Sequence, residues 1–230
     1  MSHDHCAPVL GLVGGIGSGK SALAVWVSKH AAIPVLDGDK IGHQALCDSD
    51  IAKQILDHFP QARLDTDTTS PSSPPHTHLN INRAVLAGIV FGSDPEAVSA
   101  RSTLESILHP QIRRSLEQQI SEHQQAGDCE AILVDAAVLF EAGWDDLCHR
   151  VVFIDVPADE RVKRVTTTRG WTANDLASRE ASQWSLDRKR AACHASLLNT
   201  TNLTSAGQEL LTLLRDFITS YRDETSTSCP

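Results

Sequence analysis

The segment Gly14-Gly15-Ile16-Gly17-Ser18-Gly19-Lys20-Ser21 constrains the fold of this chain more than any other. Before it lies the apolar run Val9-Leu-Gly-Leu-Val13, and after it Ser21-Ala-Leu-Ala-Val-Trp-Val-Ser28. Glycine so dense cannot continue a strand or a helix without a large entropic penalty, so the order reads as buried strand, loop, then helix. From Gly14 the residues match G-x-x-x-x-G-K-[ST] in the strand-to-helix context that pattern requires. Without side chains in the way, the backbone can curl around a phosphate and turn successive N–H groups inward, with the positive end of the following helix aimed at the anion. Lys20 then reaches the β- and γ-phosphates, and the Ser21 hydroxyl serves Mg2+. The candidate ATP-binding residues are Gly14, Gly15, Ile16, Gly17, Ser18, Gly19, Lys20, Ser21 and the adjoining Ala22, with ATP and Mg2+ as expected cofactors.

The rest of the chain alternates in the same sense. Ile33-Pro-Val-Leu36, Ala131-Ile-Leu-Val134, Val151-Val-Phe-Ile154 and Ser196-Leu-Leu198 read as further strands. Helical spacing runs from about Ile41 to His58, from Asp159 onward, and from Ala206 to Tyr221. From Asn82 to Gln125 the pattern is helical, with interruptions expected at Asp94-Pro95 and His109-Pro110, because proline disfavours helix for the residue before it. The polar, Pro/Ser-rich stretch between Leu64 and His78 suits an exposed irregular loop. The expectation is an α/β fold: a P-loop NTPase-type parallel five-stranded sheet with helices on both faces, plus a helical substrate-binding region and a lid, ligands lying beyond the carboxyl ends of the strands. Trp26 and Trp184 read as packing residues.

Acidic and basic groups fall where phosphoryl transfer needs them. Asp37-Gly-Asp39 follows the second strand; Asp39 suits a base for an acceptor hydroxyl or a helix cap, and Asp37 a cap or a ligand of metal-bound water. Asp135 ends an apolar run, either as a carboxylate for the magnesium shell or as a turn residue. Arg161, Lys163, Arg164, Arg169, Arg179, Arg188, Lys189 and Arg190 are spread over a segment that suits a closing lid, although interspersed acids also fit a solvated helix face. Asp39-Lys-Ile-Gly42 matches the D-x-x-G of GTPases, but no N-K-x-D follows, which disfavours a switch GTPase. Another metabolite or nucleoside monophosphate kinase, and a non-catalytic ATP-binding switch, share much of this equipment.

Bulk properties narrow the setting. A formal charge of −9 over 230 residues argues against a general nucleic-acid-coating role. No apolar run approaches the ~20 residues that span a bilayer, and the amino-terminal residues lack the blocks of a signal peptide, so a cytoplasmic location is expected. The six cysteines have no C-x-x-C pair and no spacing that suits zinc, and read as reduced thiols. The sequons at Asn199 and Asn202 read as chance. Monomer and homo-oligomer remain open.

Together Gly14 to Ser21, Asp37-Gly-Asp39-Lys-Ile-Gly-His43, His109-Pro110-Gln-Ile112 and Leu139-Phe140-Glu141 resemble the dephospho-coenzyme A kinase family in order and spacing. The resemblance runs from about Val9 to Tyr221 and adds Arg83, Phe91, Arg164, Arg169, Gln183, Lys189 and Asn199. It implies transfer of the ATP γ-phosphoryl group to the 3′-hydroxyl of dephospho-coenzyme A. One kinase domain over residues 1–230 follows: a core at about 8–60, 128–158 and 195–222, a coenzyme A-binding helical region at about 80–127, and a lid at about 160–192. By the same resemblance Asp39, Lys20 and Arg164 are catalytic, Arg169 serves the nucleotide, Asp37, Asp39, Arg83 and His109 bind the substrate, and Ser21 and Asp135 hold the metal. Ala22, Ala137-Val138 and Cys193-His194 depart from the family pattern.

Overall fold

A computed structural model describes residues 6–64, 81–92 and 94–227. In chain order the elements are β1 (Val9–Gly14), α1 (Lys20–His30), β2 (Val35–Asp37), α2 (Gly38–Ala45), α3 (Ser49–His58), α4 (Arg83–Val90), α5 (Pro95–Ala126), β3 (Ile132–Asp135), β4 (Arg150–Asp155), α6 (Ala158–Arg169), α7 (Ala173–Glu180), α8 (Leu186–Ala192), β5 (Ala195–Leu198) and α9 (Leu203–Thr227). The chain divides into two compact units, one up to Gly38 and from Leu116 on, the other Asp39–Ser115.

The first unit is built on a five-stranded sheet of order β2-β3-β1-β4-β5, every pairing parallel. Parallel strands need helical crossovers and are covered on both faces, which is why these strands read as continuous apolar runs. Alternation along β1 sends Leu10 and Leu12 to one face, where Leu133, Val152 and Ile154 join them. There they pack under Leu23, Ala24 and Val27 of α1 and Ala206, Leu210, Leu214 and Ile218 of α9. On the other face Leu139 and Cys148 lie so close over Gly11 that a Cβ there would sit 2.8 Å from Leu139 Cδ2. The α/β class and the five parallel strands agree with the sequence expectation.

The second unit is helical. Ile51, Ile55, Leu56 and Phe59 of α3 and its end, Leu86 and Val90 of α4, and Leu104, Ile107 and Leu108 of α5 share one apolar cluster. An isolated antiparallel bridge joins Arg63 to Ile81. The expected Pro/Ser-rich loop lies outside the described residues from residue 65 on, as does Cys229.

Four expectations are corrected in detail. Strand β2 is shifted to Val35–Asp37, so Asp37 ends the strand. The helix expected from Ile41 to His58 is two helices, because the Asp48 carboxylate accepts from the Asp50 and Ile51 N–H groups at 2.9 and 3.1 Å and starts α3 afresh. His109-Pro110 does not interrupt α5, which is continuous over 32 residues with Pro110 inside. A lost N–H and a ring clash cost about 3 kcal/mol, which the packing of Leu104, Ile107, Leu108 and the buried Ile112 on both sides of the proline offsets. Pro95, in contrast, opens the helix, where Asp94 Oδ1 accepts from Ala97 N at 2.8 Å. Helix α9 extends past both expected ends.

Gly207 of α9 faces the Trp26 indole of α1 so closely that a β-carbon would collide with the ring. Trp26, stacked on His30 at 3.8 Å between ring centroids, has little room to retreat. Gly207→Ala is therefore expected to lower stability by about 1–3 kcal/mol despite the better helix propensity of alanine, measured as a fall in the urea midpoint.

Candidate active site

Backbone geometry shapes the loop between β1 and α1. Gly17 and Gly19 adopt φ of +80° and +81°, a region that L side chains rarely enter. Ser18 N donates to Gly15 O at 3.0 Å and closes the turn. Gly19 is the N-cap of α1 and offers no side chain to its N–H groups, and no acid stands in the first turn. The positive end of α1 is thus left for an external anion.

A loop whose N–H groups turn inward must turn its carbonyls outward, and these carbonyls have dedicated donors. Arg161 Nη1 donates to Ile16 O at 3.5 Å. Ser18 O accepts from Asn199 Nδ2 at 2.7 Å and Arg164 Nη1 at 3.3 Å, while Arg164 Nη2 donates to Asn199 O at 2.7 Å. Arg161 is buried and also pairs with Glu180. These donors press on the glycines: a Cβ at Gly15 would lie 3.0 Å from the Arg161 guanidinium, and one at Gly19 2.8 Å from Asn199 Nδ2.

At the start of α1, Lys20 Nζ lies 3.1 Å from Asp135 Oδ1 and donates to Ser21 Oγ at 3.4 Å. Asp135 ends β3 and is 2% exposed. It is level with Leu12 of β1 on one side and Asp37 of β2 on the other, so one sheet edge carries Lys20, Ser21, Asp135 and Asp37. Asp135 Oδ1 makes no well-aimed hydrogen bond, so its tie to Lys20 is an ion pair only.

The basic segment divides into separate duties. Arg161 and Arg164 meet the loop. Arg169 instead lies exposed with its guanidinium 4.8 Å over the Trp171 ring, which Arg179 also covers at 4.1 Å. Lys163 is exposed near Glu160, and Arg190 pairs with Asp155 and Asp187 at 2.8 and 3.0 Å. Lys189 is fully buried: its Nζ lies 2.9 Å from Glu141 Oε1 and donates to Ala137 O at 2.6 Å and Gln183 Oε1 at 2.9 Å. Glu141 Oε1 also accepts from Trp184 N at 2.7 Å, and the Trp184 ring stacks on Phe140. Both tryptophans in question are packing residues, as read.

Asp39, Arg83 and His109 belong to the second unit. Asp39 is exposed in the first turn of α2. Arg83 opens α4 and reaches the last turn of α2, donating to His43 O at 3.4 Å. His109 is half-buried on α5. The departures at Ala137 and Cys193-His194 have structural partners: Lys189 uses the backbone oxygen of residue 137, and His194 Nδ1 accepts from Val151 N at 3.0 Å, which anchors the chain after α8.

A glycine loop opening a helix, a buried carboxylate one strand away and cationic donors behind the loop are the arrangement expected of a P-loop kinase. The model of the family described as dephospho-CoA kinase matches residues 8–205. The chain belongs to the dephospho-CoA kinase family. Such kinases phosphorylate dephospho-coenzyme A, a small molecule, in the last step of coenzyme A biosynthesis, and this chain is a kinase that uses a nucleotide. It is 29% identical over 217 residues to the dephospho-CoA kinase of Thermus thermophilus, with 94% of this chain and 95% of the relative covered. To that of a Synechococcus species it is 30% identical over 181 residues, covering 79% of each chain. A crystal structure from Thermus thermophilus superposes with a TM-score of 0.71 at 29% identity, covering 92% of this chain and 98% of that one. Dephospho-CoA kinase from Campylobacter jejuni, at 21% identity and a TM-score of 0.62 over 92% and 98% of the chains, shares the fold.

Sequence reasoning named Arg161, Asn199, Lys189 and Glu141 but missed the bonds of the first two to the loop carbonyls and the pairing of the last two. Lys189→Met is expected to destabilise the protein by about 3–5 kcal/mol, because it strands the Glu141 charge. Lys189→Met with Glu141→Leu should recover much of that loss in urea unfolding.

Cys148 and Cys193 are pushed up to about 12, chiefly by burial, aided for Cys148 by Asp145 and Asp146 and opposed for Cys193 by Lys189. Both thiols ionise more readily in the unfolded chain, so their contribution is whole below the ordinary value of 9.0 and is lost as pH rises toward 12. Urea midpoints should fall across that window, and less steeply in Cys148→Ala.

Proposed function

We propose that Gly14–Ala22 holds ATP as its magnesium complex and that Asp39 takes the proton of the 3′-hydroxyl of dephospho-coenzyme A as that oxygen attacks the γ-phosphorus, breaking its bond to the β–γ bridging oxygen and releasing ADP. The observation that carries this reading is the Lys20, Ser21 and Asp135 group at the mouth of a loop whose outward carbonyls are held by Arg161, Arg164 and Asn199. Inward N–H groups and the end of α1 receive the β-phosphate. Lys20, so close to Asp135, can exchange part of that ion pair for phosphate oxygens.

Magnesium suits the donors present. Ser21 Oγ and the buried Asp135 carboxylate are hard oxygen ligands, and Asp135 Oδ1 has no well-aimed hydrogen bond to give up. Ser21 would bind the ion directly and Asp135 would hold it or its water; when bound it neutralises charge on the β- and γ-oxygens. Asp37, on the same edge, orients water or the ribose.

Asp39 follows Asp37 by two residues and is exposed, as a base that meets an external hydroxyl must be. Arg164, once released from Ser18 O and Asn199 O, stabilises charge on the transferring group, and Arg169 closes over the nucleotide with residues 160–192 as the lid. Arg83 and His109 contact the coenzyme A moiety within the helical region at about 80–127. The enzyme acts in the cytoplasm on a free small molecule, without nucleic acid, in keeping with its charge of −9; among the described residues no helix is long and apolar enough to cross a membrane.

Purified protein with Mg-ATP should phosphorylate dephospho-coenzyme A, with little turnover of AMP, CMP or shikimate; turnover of one of these alone would overturn the substrate. Asp39→Asn is expected to lower kcat by about 10²–10⁴-fold while ATP affinity stays nearly unchanged. An unaltered kcat would reduce Asp39 to a helix residue.

A further inference from the structure

A second cluster of metal-competent side chains lies in the first unit, away from the kinase chemistry. His123 is in the last turn of α5, the chain turns at Gly127 with φ of +64°, and Asp128 and Cys129 follow before β3. One donor atom from each of His123, Asp128 and Cys129 lies within 4.8 Å of the others. An open cavity of about 200 Å³ adjoins them, lined also by Ser28 and the Ala31–Pro34 connection into β2. Asp128–Cys129 precede β3 and Ala31–Pro34 precede β2, so this cavity is at the amino ends of the strands, opposite the phosphate loop.

We propose that His123, Asp128 and Cys129 form a binding site for a borderline-soft divalent transition metal of the zinc class.

Imidazole nitrogen, thiolate sulfur and a carboxylate oxygen are the donor types that zinc and cobalt take, whereas magnesium and calcium prefer oxygen alone. The carbonyl end of α5, with its negative partial charge, is at the cluster and favours a cation. The open cavity leaves space for a water as a fourth ligand. Binding exchanges the Cys129 S–H proton for a sulfur–metal bond, and the proton leaves to solvent.

The probe is cobalt(II) added to the full-length protein without nucleotide, followed by zinc as a competitor. The expected result is about one equivalent bound, with near-ultraviolet thiolate-to-cobalt absorption that zinc abolishes. Cys129→Ser should remove that absorption, and His123→Asn should weaken binding by about tenfold or more, while phosphorylation by both variants stays at the unmodified rate. Should either variant fold poorly, the unmodified protein is read directly: zinc should raise its melting temperature and a chelator reverse the rise. No thiolate absorption, or no zinc-dependent rise, overturns the proposal. So does absorption that survives Cys129→Ser and disappears when His3, His5 and Cys6 are replaced, because the metal then belongs to the amino-terminal segment.

Discussion

The outward carbonyls of the phosphate loop are the constraint around which the first unit is arranged. Curling Gly14–Gly19 to aim N–H groups at an anion turns the Ile16 and Ser18 oxygens away from it, and buried oxygens need donors. Arg161 and Arg164 of α6 and Asn199 after β5 supply them. That requirement explains why β4 adjoins β1: the helix that follows β4 can then lie under the loop. It also explains glycine at positions 15 and 19, where the donors approach too closely for a side chain.

Two lysine–carboxylate pairs in the same unit, one enclosed and one partly open, sit in different surroundings. Lys189 is fully enclosed, with a carboxylate, an amide oxygen and a backbone oxygen around its ammonium. Each donor direction is used, so the group has nothing left to offer a ligand and fastens α8 to the segment after β3. Lys20 keeps 12% of its side chain exposed and has one carboxylate and a hydroxyl as partners. Its coordination is incomplete, which suits the passage between carboxylate and phosphate proposed for it.

The phosphate loop and the sheet were legible because local sequence dictates them: Gly14–Ser21 needs no distant partner to be recognised, and buried parallel strands announce themselves as apolar runs. Asp135 was legible as a carboxylate closing an apolar strand, and Arg164 only as one member of a basic run and through the family resemblance. Pro110 misled because a proline rule is local, whereas the packing of Ile107, Leu108 and Ile112 that carries α5 through it is tertiary. Asp48 was an unread cap signal before Ser49-Asp-Ile. Asn199 entered only through the family resemblance, and its bond to Ser18 was not legible because that partner is remote in sequence. The basic run from Arg161 to Arg190 looked like one surface, yet the fold gives loop, tryptophan and buried carboxylate each a share. Cysteine spacing alone concealed the grouping of His123 with Asp128 and Cys129, which straddles a helix end.

The strand order β2-β3-β1 also bears on how the chain reaches its native state. Strands β1 and β2 are made early, but neither pairs with the other; the strand that lies between them is Ile132–Asp135. Two apolar strands therefore wait, without lateral partners, while the whole helical unit is synthesised. Because loop-closure entropy grows only logarithmically with length, that long insertion adds little to the equilibrium cost of the sheet. Its effect is kinetic: pairings so distant in sequence slow folding and prolong exposure of unpaired strand edges. An Asp39–Ser115 segment that collapses on its own apolar cluster shortens the effective tether, so early folding of the insertion would guard the sheet against mispairing.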